Sequence, residues 1–225
     1  MILINENVPT KILDFLSKKD KLRLLPDLKD ISDATKRHID LGCVKVGEKL
    51  VCCPEFYERL KDIPNAVKGE KDPKDGYPAD VLYNAVQIGD RFICLKNALD
   101  KKVAEEAKEL KIVETKQGYA KCNIVQVSEN AIITEDENIA AVAEKNGISV
   151  LKIKKGYVFL DGYSHGFIGG ATVRTDKELI FIGDISAHPD FFKIVSFCER
   201  FGVKADFIKD FPLTDVGSPI FIQNI

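Results

Sequence analysis

The residues best suited to chemistry lie in one glycine-rich stretch, residues 161–170, which reads DGYSHGFIGG. It contains His165, one of only three histidines in the chain, close to Tyr163. Imidazole has an ordinary pKa near neutrality, so His165 is a candidate general acid or base. Glycines that lead into a strand favour the close approach of a ligand or of another chain segment. A histidine hydrogen-bonded within a tight bend would need no catalytic role, and both interpretations stay open.

Cys122 is the candidate nucleophile, because Lys121 precedes it directly in the sequence. A nearby cation lowers the pKa of a thiol, and the thiolate is the reactive form. The alternative is a buried core thiol at the start of a strand. We also expect Cys43 and Cys52 to face each other across a hairpin, and Cys198 to lie in the core.

The six cysteines form no CxxC motif, and no histidine stands at the spacing of a zinc finger. We therefore expect no structural zinc site, no other metal and no cofactor. The net charge of −2, with both signs interspersed, argues against a nucleic-acid-binding surface. No apolar run approaches the roughly 18–20 residues of a membrane span, and the N-terminus does not resemble a signal peptide. These features predict a cytoplasmic protein whose partner is a small molecule rather than nucleic acid or a membrane.

The elements that would position these residues repeat along the chain. Each copy reads as a strand, a turn, a second strand, a helix and a third strand, with turns near residues 47, 89, 128 and 176. The fourth copy begins with a strand over 168–173, and a helix of the second copy spans about 98–110. Residues 63–80, rich in proline, glycine and charge, are predicted to be a loop and a candidate lid.

A fifth copy is split between the two ends of the chain, residues 1–37 and 211–225, with a terminal strand over 218–223. Repeats of about 45 residues that cannot bury their own faces stack or close into rings. Splitting one unit between the termini would close such a ring, because the terminal strands would then pair within one sheet. We predict one α/β domain over residues 1–225, built from five ββαβ units and closed by pairing of the N- and C-terminal strands.

This pattern resembles the pentein fold, the five-bladed α/β propeller of the guanidine-group-modifying enzymes. Residues 163–170 are similar to a stretch found in uncharacterised bacterial proteins of this fold, and His165 stands where the enzymes place their catalytic histidine. The resemblance implies a guanidino or amino-acid-like ligand and, for an enzyme, hydrolysis or transfer at a C–N bond. It also implies a nucleophilic cysteine near the C-terminus, but residues 216–221 read VGSPIF and contain none. The alternative is a non-catalytic binding protein on the same scaffold, as with the pentein translation initiation factor 6.

In a five-fold ring, the residues that precede each first strand converge on the central channel, where a ligand would bind. This convergence gives the candidate ligand-binding residues Asp40, Asn84, Lys121, Asn123, Tyr163, Asp215 and Ser218. Asp40 and Asp215 could each pair with a guanidinium in a bidentate manner, or could be ordinary surface or capping carboxylates. His38 is expected among exposed charges, and His188 at the start of a helix.

Overall fold

Five small sheets of three strands each form the computed structural model, which describes residues 1–223. The first elements are β1 (Ile2–Asn5), α1 (Thr10–Ser17) and β2 (Leu22–Leu25), followed by β3 (Cys43–Val46), β4 (Lys49–Cys52), α2 (Pro54–Leu60) and β5 (Ala66–Lys68). Next come β6 (Val86–Ile88), β7 (Arg91–Cys94), α3 (Lys101–Glu106) and β8 (Lys111–Glu114). A short helix α4 (Ala120–Asn123) precedes β9 (Ile124–Ser128), β10 (Ala131–Thr134), α5 (Glu137–Lys145) and β11 (Ser149–Lys152). The last elements are β12 (Thr172–Arg174), β13 (Glu178–Phe181), α6 (Phe191–Arg200), β14 (Lys204–Phe207) and β15 (Ile220–Phe221).

Every sheet has the same internal arrangement. Its first and second strands are antiparallel, and its third strand pairs in parallel with the second after a helical crossover. The two ends of the chain share one sheet, because β15 pairs antiparallel with β1, and β1 pairs parallel with β2. The first strands of neighbouring sheets contact one another in sequence: β3 with β6, β6 with β9, β9 with β12 and β12 with β15. This is a mixed α/β fold in which the segments preceding the first strands are drawn together.

Hairpin turns and cysteine positions follow the sequence closely. Gly47 takes a φ of 57°, in the left-handed region that a tight two-residue turn requires. That turn places Cys43 opposite Cys52 as predicted. Cys198 is fully buried beside Ile194 on the inner face of α6, which confirms its predicted place in the core.

Three predicted elements differ from the structure. Residues 63–80 are not one loop, since β5 lies within them and supplies the third strand of its sheet. The strand predicted over 168–173 is reduced to β12, because Gly169 packs against the backbone carbonyls of Lys121 and Cys122. The terminal strand predicted over 218–223 is reduced to β15, because Ser218 has a φ of 46° and Pro219 has no N–H to donate.

Helix α3 is also shorter than the predicted span of about 98–110. Residues 96–98 form a separate 3₁₀ turn, and the Asp100 carboxylate then caps α3 by accepting the N–H of Lys102. Within residues 1–223, none of the helices combines the length and the hydropathy that crossing a membrane requires.

Candidate functional site

Three of the predicted residues meet in the interior through hydrogen bonds that join different sheets. The Cys122 thiol donates to Oδ2 of Asp40 at 3.0 Å, and Nδ2 of Asn84 donates to the sulfur at 3.1 Å. Oδ1 of Asn84 accepts the backbone N–H groups of Lys121 and Cys122 at 2.8 and 3.3 Å. Asp40 lies in the 3₁₀ turn before β3, Asn84 lies just before β6, and Cys122 lies in α4 before β9. The structure therefore brings together residues that precede three different first strands.

Asp215 holds the glycine-rich stretch and lies beside a histidine. Its Oδ2 accepts the N–H of Phe167 at 2.9 Å, and its Oδ1 accepts that of Gly217 at 3.0 Å. Nε2 of His38 lies 3.7 Å from the same Oδ1. His38 is only 3% exposed, so its predicted place among exposed charges is wrong. The reason is tertiary: a Cβ on Gly217 would lie 2.1 Å from the Cα of His38, so the glycine allows that backbone to pack inside.

We call these five residues, His38, Asp40, Asn84, Cys122 and Asp215, the polar cluster.

The glycines and Ser218 pack around this cluster. A Cβ on Gly170 would lie 1.9 Å from Oδ1 of Asp215, so only glycine fits there. The Ser218 hydroxyl donates to the carbonyl of Gly169 at 3.1 Å. Glycines are therefore required in this stretch because other parts of the chain pack closely against its backbone, without any contact with a ligand.

Burial governs the protonation of the cluster. It raises the pKa of the Cys122 thiol well above the ordinary value, and the Asp40 and Asp215 carboxylates raise it further. Burial also raises the pKa of Asp215, against the opposing effect of His38. Burial lowers the pKa of Lys121, although Asp40 and the other acidic neighbours favour its charged form. At neutral pH Cys122 is therefore a protonated hydrogen-bond donor, which is the unreactive form of a thiol.

A cavity of about 290 Å³ is lined by the first strand of every sheet. We call it the channel cavity. Lys121 is partly exposed, and it lines this cavity. The five first strands each contribute at least one residue to the lining, among them Lys45, Gln87, Gln126, Arg174 and Phe221.

A second opening, which we call the cleft, has a volume of about 790 Å³ and contains Glu135, Asn123 and His165. Glu135 follows β10 and is only 9% exposed. Its Oε2 accepts the N–H of Ile168 at 3.0 Å, whereas its buried Oε1 has no hydrogen-bond partner within residues 1–223. Burial raises the pKa of Glu135 to about 7, and the nearby Asp215 raises it as well. A carboxylate that titrates near neutrality beside an opening is a functional-site candidate.

The hydrogen bond of His165 defines its neutral tautomer. Its Nδ1 lies 3.2 Å from the carbonyl oxygen of Gly166. Because a carbonyl can only accept, Nδ1 must carry the hydrogen, which leaves the lone pair of the neutral ring on Nε2. Nε2 of His165 can therefore accept a hydrogen bond from a ligand in the cleft.

The predicted site residues thus separate into four places. Asp40, Asn84, Cys122 and Asp215 belong to the polar cluster, with Ser218 packed beside it. His165 and Asn123 line the cleft, Lys121 lines the channel cavity, and the Tyr163 side chain is 56% exposed on the surface. The catalytic roles of His165 and Cys122 stay predictions.

Sequence reasoning missed two residues, His38 and Glu135. A weak sequence signal for Glu135 exists, because a charged residue directly after the fully buried strand β10 marks the end of that strand. His38 had none, because its neighbours Lys36 and Arg37 are charged.

Residues 3–220 match the model of a family of unknown function, DUF6873. The chain belongs to this family. No curated protein matches its sequence.

Several solved structures of other proteins have a fold similar to that of this DUF6873 protein. Dimethylarginine dimethylaminohydrolase in an adduct with 4-chloro-2-hydroxymethylpyridine is 10% identical, with 92% of this chain and 91% of that chain covered and a TM-score of 0.58. The same enzyme from Pseudomonas aeruginosa, as a cysteine-to-serine mutant complexed with citrulline, is 12% identical over 89% and 78% of the two chains, with a TM-score of 0.55. The C. jejuni agmatine deiminase with substrate bound is 12% identical over 88% and 74%, with a TM-score of 0.50. Both enzymes have the pentein fold, so the predicted resemblance is confirmed for this DUF6873 protein.

Proposed function

We propose that this protein binds a small guanidino or amino-acid-like ligand in the cleft, with Glu135 as the anchor for its cationic group. The observation that carries the proposal is the buried Oε1 of Glu135, which has no hydrogen-bond partner within the described residues and belongs to a side chain that lines the cleft. An unsatisfied buried carboxylate oxygen costs about 1–3 kcal/mol, which a bound donor would recover.

The second oxygen of the same carboxylate is held by the N–H of Ile168. This hydrogen bond restrains the carboxylate, and a ligand would reach the buried Oε1 by displacing the groups that now cover it. The neighbouring acids are already engaged: Asp136 accepts the N–H of Ile139, and Asp190 accepts the backbone N–H of Lys154 and pairs with the Lys193 ammonium group. Glu135 is the cleft carboxylate best placed to receive a guanidinium or ammonium group.

Cations along the cleft favour a ligand that also carries a carboxylate. The lysines available for this are Lys154 and Lys155, because the cleft residues Lys152 and Lys193 already pair with Glu137 and Asp190. A zwitterionic amino acid with a basic side chain has the matching charge pattern, since its cation would meet Glu135 and its carboxylate the lysines. His165, whose Nε2 carries a lone pair in the neutral ring, would accept a hydrogen bond from a ligand N–H group.

The solved neighbours support this ligand class. They are named for dimethylarginine and agmatine, and one was solved with citrulline. The chemistry of this chain would differ from a cysteine mechanism, because Cys122 is held as a protonated thiol and residues 216–221 contain no cysteine. We therefore favour binding without covalent catalysis, and we place Cys122 in the polar cluster as a structural group.

Our proposal includes the shape of the molecule as one domain, a closed five-bladed propeller of ββαβ units located in the cytoplasm. The contacts between successive first strands, the pairing of β1 with β15 and the channel cavity lined by all five sheets support this closure. The free state of all six cysteines fits a reducing compartment.

The test is calorimetric titration of arginine and agmatine against citrulline, whose neutral ureido group has nearly the shape of a guanidinium. Arginine should bind at least about tenfold more tightly than citrulline, and Glu135→Gln should remove that preference, since a charge-assisted hydrogen bond contributes about 1.5–3 kcal/mol. Glu137→Gln is the matched control, because Glu137 also lines the cleft but already pairs with Lys152. Equal binding of arginine by wild type and Glu135→Gln would disprove the proposal. Ammonia, ornithine or citrulline released from arginine would show that the protein is an enzyme after all.

A further inference from the structure

We propose that the polar cluster is a binding site for a divalent transition metal of the zinc type, with His38, Asp40 and Cys122 as ligands. One ring nitrogen of His38, one carboxylate oxygen of Asp40 and the sulfur of Cys122 all lie within 4.8 Å of one another. The site is separate from the cleft and does not depend on the ligand proposed for Glu135.

The donor set determines the class of metal. A nitrogen, a carboxylate oxygen and a sulfur together suit Zn²⁺ or Co²⁺, whereas Mg²⁺ and Ca²⁺ require oxygen ligands. Zinc bonds to these atoms are about 2.0–2.3 Å long and tetrahedrally arranged, so two ligands of one ion lie about 3.3–3.8 Å apart. Side-chain shifts of about 1 Å would bring all three residues onto a common centre.

A second observation points to a cation at the same place. Asp40 is 0% exposed, and its Oδ1 has no hydrogen-bond partner within residues 1–223. The other oxygen of this carboxylate already receives the Cys122 thiol. Asp40 therefore has one carboxylate oxygen without a partner in the interior, on a side chain that lies beside a nitrogen and a sulfur donor.

The residues around the three ligands would support them. Nδ2 of Asn84 donates to the Cys122 sulfur at 3.1 Å, a bond that a thiolate accepts more strongly than a thiol. Oδ1 of Asp215 lies 3.7 Å from Nε2 of His38, so a small ring movement would allow the hydrogen bond that carboxylates accept from metal-bound imidazoles.

Binding replaces one proton and balances the buried charge. The thiol releases its hydrogen as H⁺ and the sulfur electron pair forms the bond to the metal, with no change of oxidation state. The Asp40 carboxylate and the Cys122 thiolate then carry two negative charges as ligands, which the two positive charges of the metal offset.

The experiment uses chelator-treated full-length protein with Co²⁺ alone as the probe. Because the cluster is buried, Co²⁺ is added both to the folded protein and during refolding from urea. We expect one Co²⁺ per chain, a thiolate-to-cobalt charge-transfer band, and a rise in Tm of about 5–10 °C at saturating Co²⁺ or Zn²⁺. Mg²⁺ should leave the Tm unchanged.

Two cysteine variants test whether Cys122 provides the sulfur ligand of the cobalt ion. Cys122→Ser should lose the band, while Cys198→Ser, a buried cysteine on α6, should keep it. Asp40→Asn should weaken Co²⁺ binding at least tenfold. This variant provides the test of the metal site if Cys122→Ser does not fold. Wild-type protein that refolds without taking up Co²⁺, or a band that persists in Cys122→Ser, would overturn the metal site.

Discussion

The thiol of Cys122 and the carboxylate of Asp40 are 82 residues apart in the sequence and 3.0 Å apart in the structure. Both side chains are buried, and the thiol is the donor in the hydrogen bond that joins them. A thiolate at this position would face an anionic oxygen, so the contact favours the protonated thiol unless a cation intervenes.

The first prediction concerns the reactivity of Cys122. In metal-free folded protein at neutral pH, iodoacetamide should label Cys122 no faster than the buried Cys198, because burial raises the pKa of both thiols. Peptide mass spectrometry over a time course measures the two rates. Labelling of Cys122 well ahead of the other cysteines would instead show a live thiolate and restore it as a nucleophile.

Glu135→Gln should make the protein more stable at alkaline pH. The pKa of Glu135 is about 7 in the folded protein against an ordinary value of 4.5, so the folded state holds a proton between these values that the unfolded state releases. Stability therefore falls as pH rises from 4.5 to 7 and stays lowered above that range. Relative to wild type, the variant should gain about 1–3 kcal/mol at about pH 8, and much less at about pH 5.

Urea denaturation at the two pH values measures this difference. Glu137→Gln is the control, because Glu137 is exposed and its pKa is lowered by Lys152, so its substitution should produce no gain at alkaline pH. A gain for Glu135→Gln that was the same at both pH values would show that the charge of Glu135 is not its cause.

Gly170→Ala should be strongly destabilising for a steric reason. The added Cβ would lie 1.9 Å from Oδ1 of Asp215, a fully buried atom with little room to move. We expect a loss of about 3 kcal/mol in the free energy of unfolding. Gly47→Ala is the comparison, since its site is open and only its φ of 57° resists a side chain, at about 1–2 kcal/mol. Equal losses in the two variants would mean that Asp215 yields to the added methyl group.

Asp100→Ala should release the segment that follows β5. The Asp100 carboxylate accepts the N–H groups of Glu70 and Lys71 at 3.0–3.2 Å, besides capping α3. We expect a loss of about 1–2 kcal/mol and faster tryptic cleavage at Lys71 or Lys74. Asp136→Ala, which removes the cap of α5 at Ile139, should cost similar stability without exposing those sites. Unchanged cleavage in Asp100→Ala would show that other contacts hold the segment.

The sequence by itself determined the repeating order of the elements. Alternating apolar strands, the turn at Gly47 and the apolar face of α6 are local patterns, and hydrogen-bond geometry and side-chain periodicity translate them directly into hairpins and helices. The same repeat indicated which residues precede each first strand, and so which side chains would meet.

The tertiary structure decided how deeply those side chains are buried and which hydrogen-bond partners they have. His38 stands among charges in the sequence, yet it is buried because Gly217, far along the chain, allows its backbone to approach. One carboxylate oxygen of Asp40 and one of Glu135 have no hydrogen-bond donor within residues 1–223. Donors from other parts of the chain would have to supply these bonds, so a local sequence pattern could not predict their absence. The absence of zinc-finger spacing excluded only ligands close in sequence, whereas His38, Asp40 and Cys122 are brought together by packing between units. Burial, pKa and ligand geometry are properties of such long-range packing, so they could be read only from the folded chain.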